Sequence, residues 1–227
     1  MQRNLTSSLC FLILFSGGLS YTQETSADKG TVEIDGDPGS CRDRCRTDDQ
    51  VVPSGSSSRP ELNPELQQYQ DISTCFPLSE TWHAVYRNFK SDPLFGGTAK
   101  CIRYTETGPP ANDAHPVLIK FGNQSVQTTA TFQSSPGYIG KNILSITPSG
   151  GNTSITTFVA YVECDKCSIL RTTYINNSTC ALLKPKSQIN KDTTSCDFIF
   201  DLLCGTSQKY YIYDESCQVQ DNQLIRT

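Results

Sequence analysis

The stretch Glu163-Cys164-Asp165-Lys166-Cys167 places two thiols three positions apart between two apolar runs. Thiols so spaced can form a redox centre, half of a tetrahedral zinc site, or the ends of two separate disulfides. Zinc needs two more ligands, and the chain's two histidines, His83 and His115, stand at no zinc-finger spacing. A redox pair of this kind lies between a strand and a helix, whereas strand-like sequence flanks this one on both sides. The spacing therefore reads as two structural staples that point to different partners. Other reactive groups are sparse. There is no Gly-x-Ser-x-Gly elbow, no His-Glu-x-x-His and no phosphate-cradling glycine loop, and two histidines supply little acid–base chemistry. The chain reads as a non-enzyme with no cofactor and no metal.

The compartment follows from the amino terminus and the cysteine count. Arg3, the apolar run Leu9–Phe15 and the small residues Ser16–Ser20 have the layout of a secretory signal peptide over residues 1–20. The apolar run is much shorter than the ~20 residues that a membrane span requires. Removing Arg3 with this segment leaves 18 basic and 23 acidic residues, a net charge of −5. Such mild acidity argues against nucleic-acid and anionic-membrane partners, which call for a basic patch. Ten cysteines remain after residue 20: Cys41, Cys45, Cys75, Cys101, Cys164, Cys167, Cys180, Cys196, Cys204 and Cys217. An even count in an oxidising compartment reads as up to five disulfides. Asn123, Asn152, Asn176 and Asn177 open glycosylation sequons at predicted turns, which suits a secreted protein.

Residues 21–60 are rich in Asp, Gly, Ser, Thr and Pro and read as a flexible acidic leader, with Cys41 and Cys45 as its odd feature. One domain is expected over 61–227. It opens with a short helix, where Asn63 can cap, Pro64 fits the first turn, and Leu62, Leu66, Tyr69 and Ile72 recur at helical spacing. Eight strand-length segments rich in Val, Ile, Thr and aromatics come next, divided by Gly, Pro and Asn turns. In the sixth, Phe158, Ala160 and Val162 are expected on one face and Val159, Tyr161 and Glu163 on the other. Eight such segments suit an all-β up-and-down barrel or a sandwich. A helix over about Cys196–Cys204, with Ser195 as cap and Gly205 as stop, and an extended segment ending at Cys217 complete the chain.

This order of parts resembles the tick salivary lipocalins, the family that includes histamine-binding proteins. The stretches that carry it are "TWHAVYRNFKSDPLFGGTAKC" (81–101), "FVAYVECDKCSILRT" (158–172) and "SCDFIFDLLCGTSQKYYIYDESC" (195–217). The resemblance implies an eight-stranded antiparallel up-and-down lipocalin barrel with a short N-terminal helix and a disulfide-tethered C-terminal helix. It also implies the pairs Cys101–Cys217 and Cys167–Cys196, with Cys180–Cys204 next, and leaves Cys41, Cys45, Cys75 and Cys164 unassigned. Amine-binding members carry an acid after the cysteine that Cys167 matches and a Glu-Leu-Trp/Tyr run on the next strand. Here those places read Ser168 and Ala181-Leu182-Leu183.

An ammonium buried without a carboxylate is costly, so the expected ligand is a host lipid such as a leukotriene or fatty acid rather than histamine or serotonin. Candidate ligand contacts are Tyr86, Phe95, Arg103, Phe121, Phe158 and Tyr161, with Tyr104 and Phe132 as further lining aromatics. Arg103 is the cation that would meet a carboxylate. Trp82 is expected to plug the base of the barrel. The alternative is a monomeric protein-binding inhibitor of host complement, clotting or inflammation, with its interior filled.

Overall fold

A computed structural model describes residues 59–218, which lie within one compact unit, Ser54–Thr227. The expected signal peptide, most of the expected leader, Cys41 and Cys45 fall outside the described residues. Eight strands succeed one another: β1 (Trp82–Arg87), β2 (Arg103–Glu106), β3 (His115–Phe121), β4 (Gln124–Gln133), β5 (Ile143–Pro148), β6 (Ile155–Glu163), β7 (Cys167–Arg171) and β8 (Cys180–Pro185). Each pairs antiparallel with the next, and β1 pairs with both β2 and β8, so the sheet closes into an up-and-down barrel. Closure leaves no open edge among the eight strands. The helix α1 (Thr194–Cys204) lies outside the barrel, and the short β9 (Tyr210–Tyr211) adds to the outer end of β1.

The alternation of β3 shows how sequence selects the inner face. His115, Val117, Ile119 and Phe121 are buried, while Pro116, Leu118 and Lys120 between them are partly exposed. A strand turns successive side chains to opposite faces, so the four buried residues form one inward row. Two bulges break this parity. In β1 the register with β8 shifts between Ala84 and Tyr86. In β6 the register with β7 shifts between Val159 and Tyr161. Each extra residue turns the side chains beyond it to the opposite face. Hence Ala84 and Arg87 face the interior of β1, and Val159 and Val162 that of β6. The expected grouping of Val162 with Phe158 and Ala160 is thereby corrected.

The N-terminal helix is a set of three 3-10 turns, Pro60–Leu62, Pro64–Tyr69 and Ile72–Cys75, rather than an α-helix. Asn63 caps the second turn by accepting the Glu65 N–H at 3.1 Å. Side chains of the described fold take the carbonyls that an α-helix would need. Asn142 donates to Glu61 O at 2.7 Å, Gln70 to Pro60 O at 3.0 Å and Tyr138 to Asn63 O at 2.8 Å. Glu61, fully buried, accepts from Arg171 Nε, and Arg171 also donates to Leu203 O at 2.9 Å. The first two turns are thus bolted to the outer wall by hydrogen bonds, leaving Leu62 and Tyr69 exposed, while the third carries Ile72 and Cys75 into the inner core.

Four disulfides brace the described chain: Cys75–Cys164, Cys101–Cys217, Cys167–Cys196 and Cys180–Cys204. Cys164 and Cys167 therefore do go to different partners, one to the N-terminal turns and the other to α1. Each bond restricts the unfolded chain and stabilises by about 2–4 kcal/mol. Between the wall and α1 lies a dense outer core of Tyr86, Ile169, Leu182 and Phe200, in which Ile169, Leu182 and Phe200 have no exposed surface. Gly205 ends α1 at φ +81°, a backbone setting that glycine adopts without a Cβ clash.

Candidate functional site

The barrel interior is hollow. The space open to the centre of a water molecule is about 90 Å³, against roughly 10–15 Å³ needed for one water. Its floor is Trp82 together with Ile72, Cys75, Phe76 and Leu78 from the 3-10 turns and the segment after them. The walls are Val117, Ile119, Leu144, Ile146, Leu170 and Leu183, so the middle of the void is apolar. At the other end stand Arg87, Phe89, Asp92, Phe95 and Tyr174, with Tyr104 on the wall below them, in register with Trp82. A void with an apolar body and a few polar groups at one end is the form that small-ligand sites take.

The polar end is built on Arg87, which is 2 % exposed. Its Nη2 donates to Gly97 O at 2.5 Å and Lys90 O at 3.2 Å, and its guanidinium lies 4.8 Å from the Phe89 ring. Asp92 Oδ2 stands 3.9 Å from Nη1. Asp92 Oδ1 accepts the N–H groups of Leu94 and Phe95 at 2.9 and 3.0 Å, and Oδ2 accepts the Tyr174 hydroxyl at 2.8 Å. The loop between β1 and β2 is thereby tied to the loop between β7 and β8, and the Phe95 and Tyr174 rings meet edge-on at 6.4 Å. Gly96, at φ +79°, lies so close to Phe121 that an added Cβ would meet the Phe121 Cβ at 2.8 Å. Burial, then Asp92, holds the Tyr174 pKa far above the usual phenol value, and burial does the same for Tyr104. Both phenols are neutral at physiological pH. Desolvation lowers the Arg87 pKa, with Asp92 opposing it.

Of the six residues expected at the ligand, Phe95 lines the void. Tyr86 does not: its bulge turns it outward, where its ring packs edge-on to Phe200 at 4.8 Å and its hydroxyl donates to Asp197 at 2.6 Å. Tyr161 lies outward after the second bulge, and its hydroxyl donates to Glu163 at 3.1 Å. Phe158 faces outward beneath the Arg59 guanidinium at 4.9 Å. Arg103 pairs in register with His83 and Lys120 on the face opposite Tyr104 and does not line the void. Phe121 belongs to the inner core against Gly96 without reaching the void, and Phe132 packs against Phe76 at 4.7 Å. The lining cation is Arg87, which sequence reasoning missed because the bulge that turns it inward leaves no compositional mark.

Among the described residues one group has metal-ligand proximity, Cys101, Asp214 and Cys217, and its two sulfurs are bonded to each other, which leaves no thiolate for a metal. Among the described residues no helix is long and apolar enough to cross a membrane. Asn123, Asn152, Asn176 and Asn177 are exposed in the connections between strands.

The sequence pattern of the tick histamine binding protein family matches residues 60–219. No functionally curated protein matches the chain. Among solved structures, Japanin from Rhipicephalus appendiculatus bound to cholesterol is 14 % identical, with 70 % of this chain and 99 % of that one covered at a TM-score of 0.44. A serotonin complex of AM182 is 16 % identical, with 66 % and 92 % covered at a TM-score of 0.44.

Proposed function

We propose that this chain, which belongs to the tick histamine-binding protein family, is a secreted carrier that sequesters a small lipid of the host rather than a biogenic amine. The observation that carries the reading is the state of the only carboxylate lining the void among the described residues. Asp92 already accepts three hydrogen bonds and faces Arg87, so an entering ammonium would find no unused anion. Ser168, Thr157 and Thr172 turn their hydroxyl protons to backbone carbonyls, and the rest of the lining is largely apolar. Depletion of a mediator by such a carrier removes it from its receptor, which accounts for a function without catalysis. The signal-like residues 1–20, the disulfides and the exposed sequons support secretion.

Calorimetric titration with a panel of lipids and amines tests the proposal. Saturable one-to-one binding of a lipid, with amines about tenfold weaker or worse, is the expected result. Tightest binding by an amine contradicts it. The second reading, a protein-binding inhibitor, is supported by Phe198 and Leu202, which stand 68 % and 70 % exposed one turn apart on α1. Capture of a host plasma protein that is lost on Phe198→Ser with Leu202→Ser would favour it.

A further inference from the structure

The polar end of the void has an uneven inventory of hydrogen-bonding groups. The Arg87 Nε–H is buried and meets no acceptor. The Tyr104 hydroxyl, on the same lining, makes no hydrogen bond to a described residue. Acceptors there are in use: Asp92 is engaged on both oxygens, and the Arg87 Nη2 has two carbonyls. The Arg87 Nε–H has essentially no surface open to the void, so the group left for a ligand is the Tyr104 hydroxyl, which can donate or accept.

Charge narrows the choice further. Arg87 carries +1 and Asp92 −1, both buried, and Tyr104 and Tyr174 are neutral, so this end is balanced as it stands. Glu106 and His115, at the floor end, face each other at 2.8 Å, and neither lines the void. A carboxylate entering beside Arg87 would also stand near Asp92 and leave a net buried negative charge. An ammonium would leave a positive one, and an uncompensated buried charge is strongly unfavourable.

We propose that the ligand's polar end is an uncharged oxygen group, a hydroxyl or carbonyl, held by the Tyr104 hydroxyl, with charged heads of either sign rejected by the balanced Arg87–Asp92 pair. This rests on the lipid-carrier reading and corrects its expected leukotriene or fatty-acid class toward neutral oxygenated lipids. Tyr104 and Arg87 are then specificity-determining residues.

The test is displacement of a fluorescent apolar probe by four ligands of one chain length, decanol, 2-decanone, decanoate and decylamine, near neutral pH. Decanol and 2-decanone should bind about tenfold or more tighter than the two charged ligands. Decanoate should gain affinity as the pH is lowered toward its carboxyl pKa, since protonation makes its head neutral. Tyr104→Phe should weaken decanol several-fold more than it weakens the apolar probe. Decanoate and decylamine should lose less than decanol does in that variant, and undiminished decanol affinity in a folded Tyr104→Phe protein overturns the proposal. Tightest binding by decanoate, weakening as it protonates, overturns the proposal in favour of an anion site. Tightest binding by decylamine overturns it in favour of an ammonium site. Equal displacement by all four shows no head-group recognition and overturns it while leaving the carrier reading intact. Failure of the probe itself to bind removes both.

Discussion

The two faces of the wall formed by β1, β7 and β8 carry similar residues to opposite ends. Outward, Ile169, Leu182 and Phe200 are sealed without exposed surface, Cys167 and Cys180 are bonded to α1, and the Tyr86 hydroxyl has a carboxylate partner. Inward, Leu170, Leu183 and Ala181 border empty space, and Arg87 keeps a buried donor without an acceptor. Side chains next to a void have lost contacts on one side, whereas sealed ones keep them all. Stability is thus concentrated outside the barrel, which allows the inside to remain unfilled for a ligand.

Truncation should separate the two faces most sharply. Phe200→Ala removes a fully buried ring from the outer core and should cost about 3–5 kcal/mol in chemical denaturation, with ligand affinity per folded molecule unchanged. Leu182→Ala and Leu170→Ala form a matched pair of one outer and one inner leucine. The outer change should fall in the upper part of the roughly 3–5 kcal/mol range and leave binding alone, and the inner one in the lower part while altering binding. Equal costs with equal effects on binding would erase the distinction.

Removing Cys180–Cys204 by paired serine substitution should cost about 2–4 kcal/mol, since a closed loop is released in the unfolded chain. It too should spare the site, as measured by probe binding below the unfolding transition. The smallest effect is expected at the rim. Lys100 donates to Asp214 at 2.5 Å and, with Ser216, holds its carboxyl down at about 2. A depressed carboxyl stabilises the fold above its unfolded pKa of 3.8, and the contribution is lost as pH falls through about 2. Asp214→Asn should lower the unfolding midpoint slightly near neutral pH and not at all below pH 2, read by thermal scans across that range.

The strands, the terminal helix and its glycine stop were legible because alternation, β-branched content and the glycine C-cap are local properties; the expected Ser195 cap is corrected, since the helix starts at Thr194 with Ser195 inside it and Thr193 at the cap position. The facing of the aromatics was not. Tyr86 and Tyr161 each come after a bulge, and one inserted residue reverses which side of the wall a ring occupies without altering composition. Phe158 and Arg103 are illegible for a different reason. Both faces of β6 carry large apolar side chains, and on β2 either Arg103 or Tyr104 can be read as inner, so parity alone does not name the inside. The 3-10 turns read as an α-helix because the residues that claim their carbonyls, Tyr138 and Asn142, lie 75 and 81 positions away in sequence.

The central claim is that the unfilled interior is the binding site, and filling it tests that most directly. Ala181 borders the void from β8, and Ala181→Phe places a ring inside it. Calorimetric titration of decanol into the parent protein should give saturable one-to-one binding with a negative heat-capacity change, and the variant, equally folded, should give none. Undiminished binding by a folded Ala181→Phe protein would contradict the account.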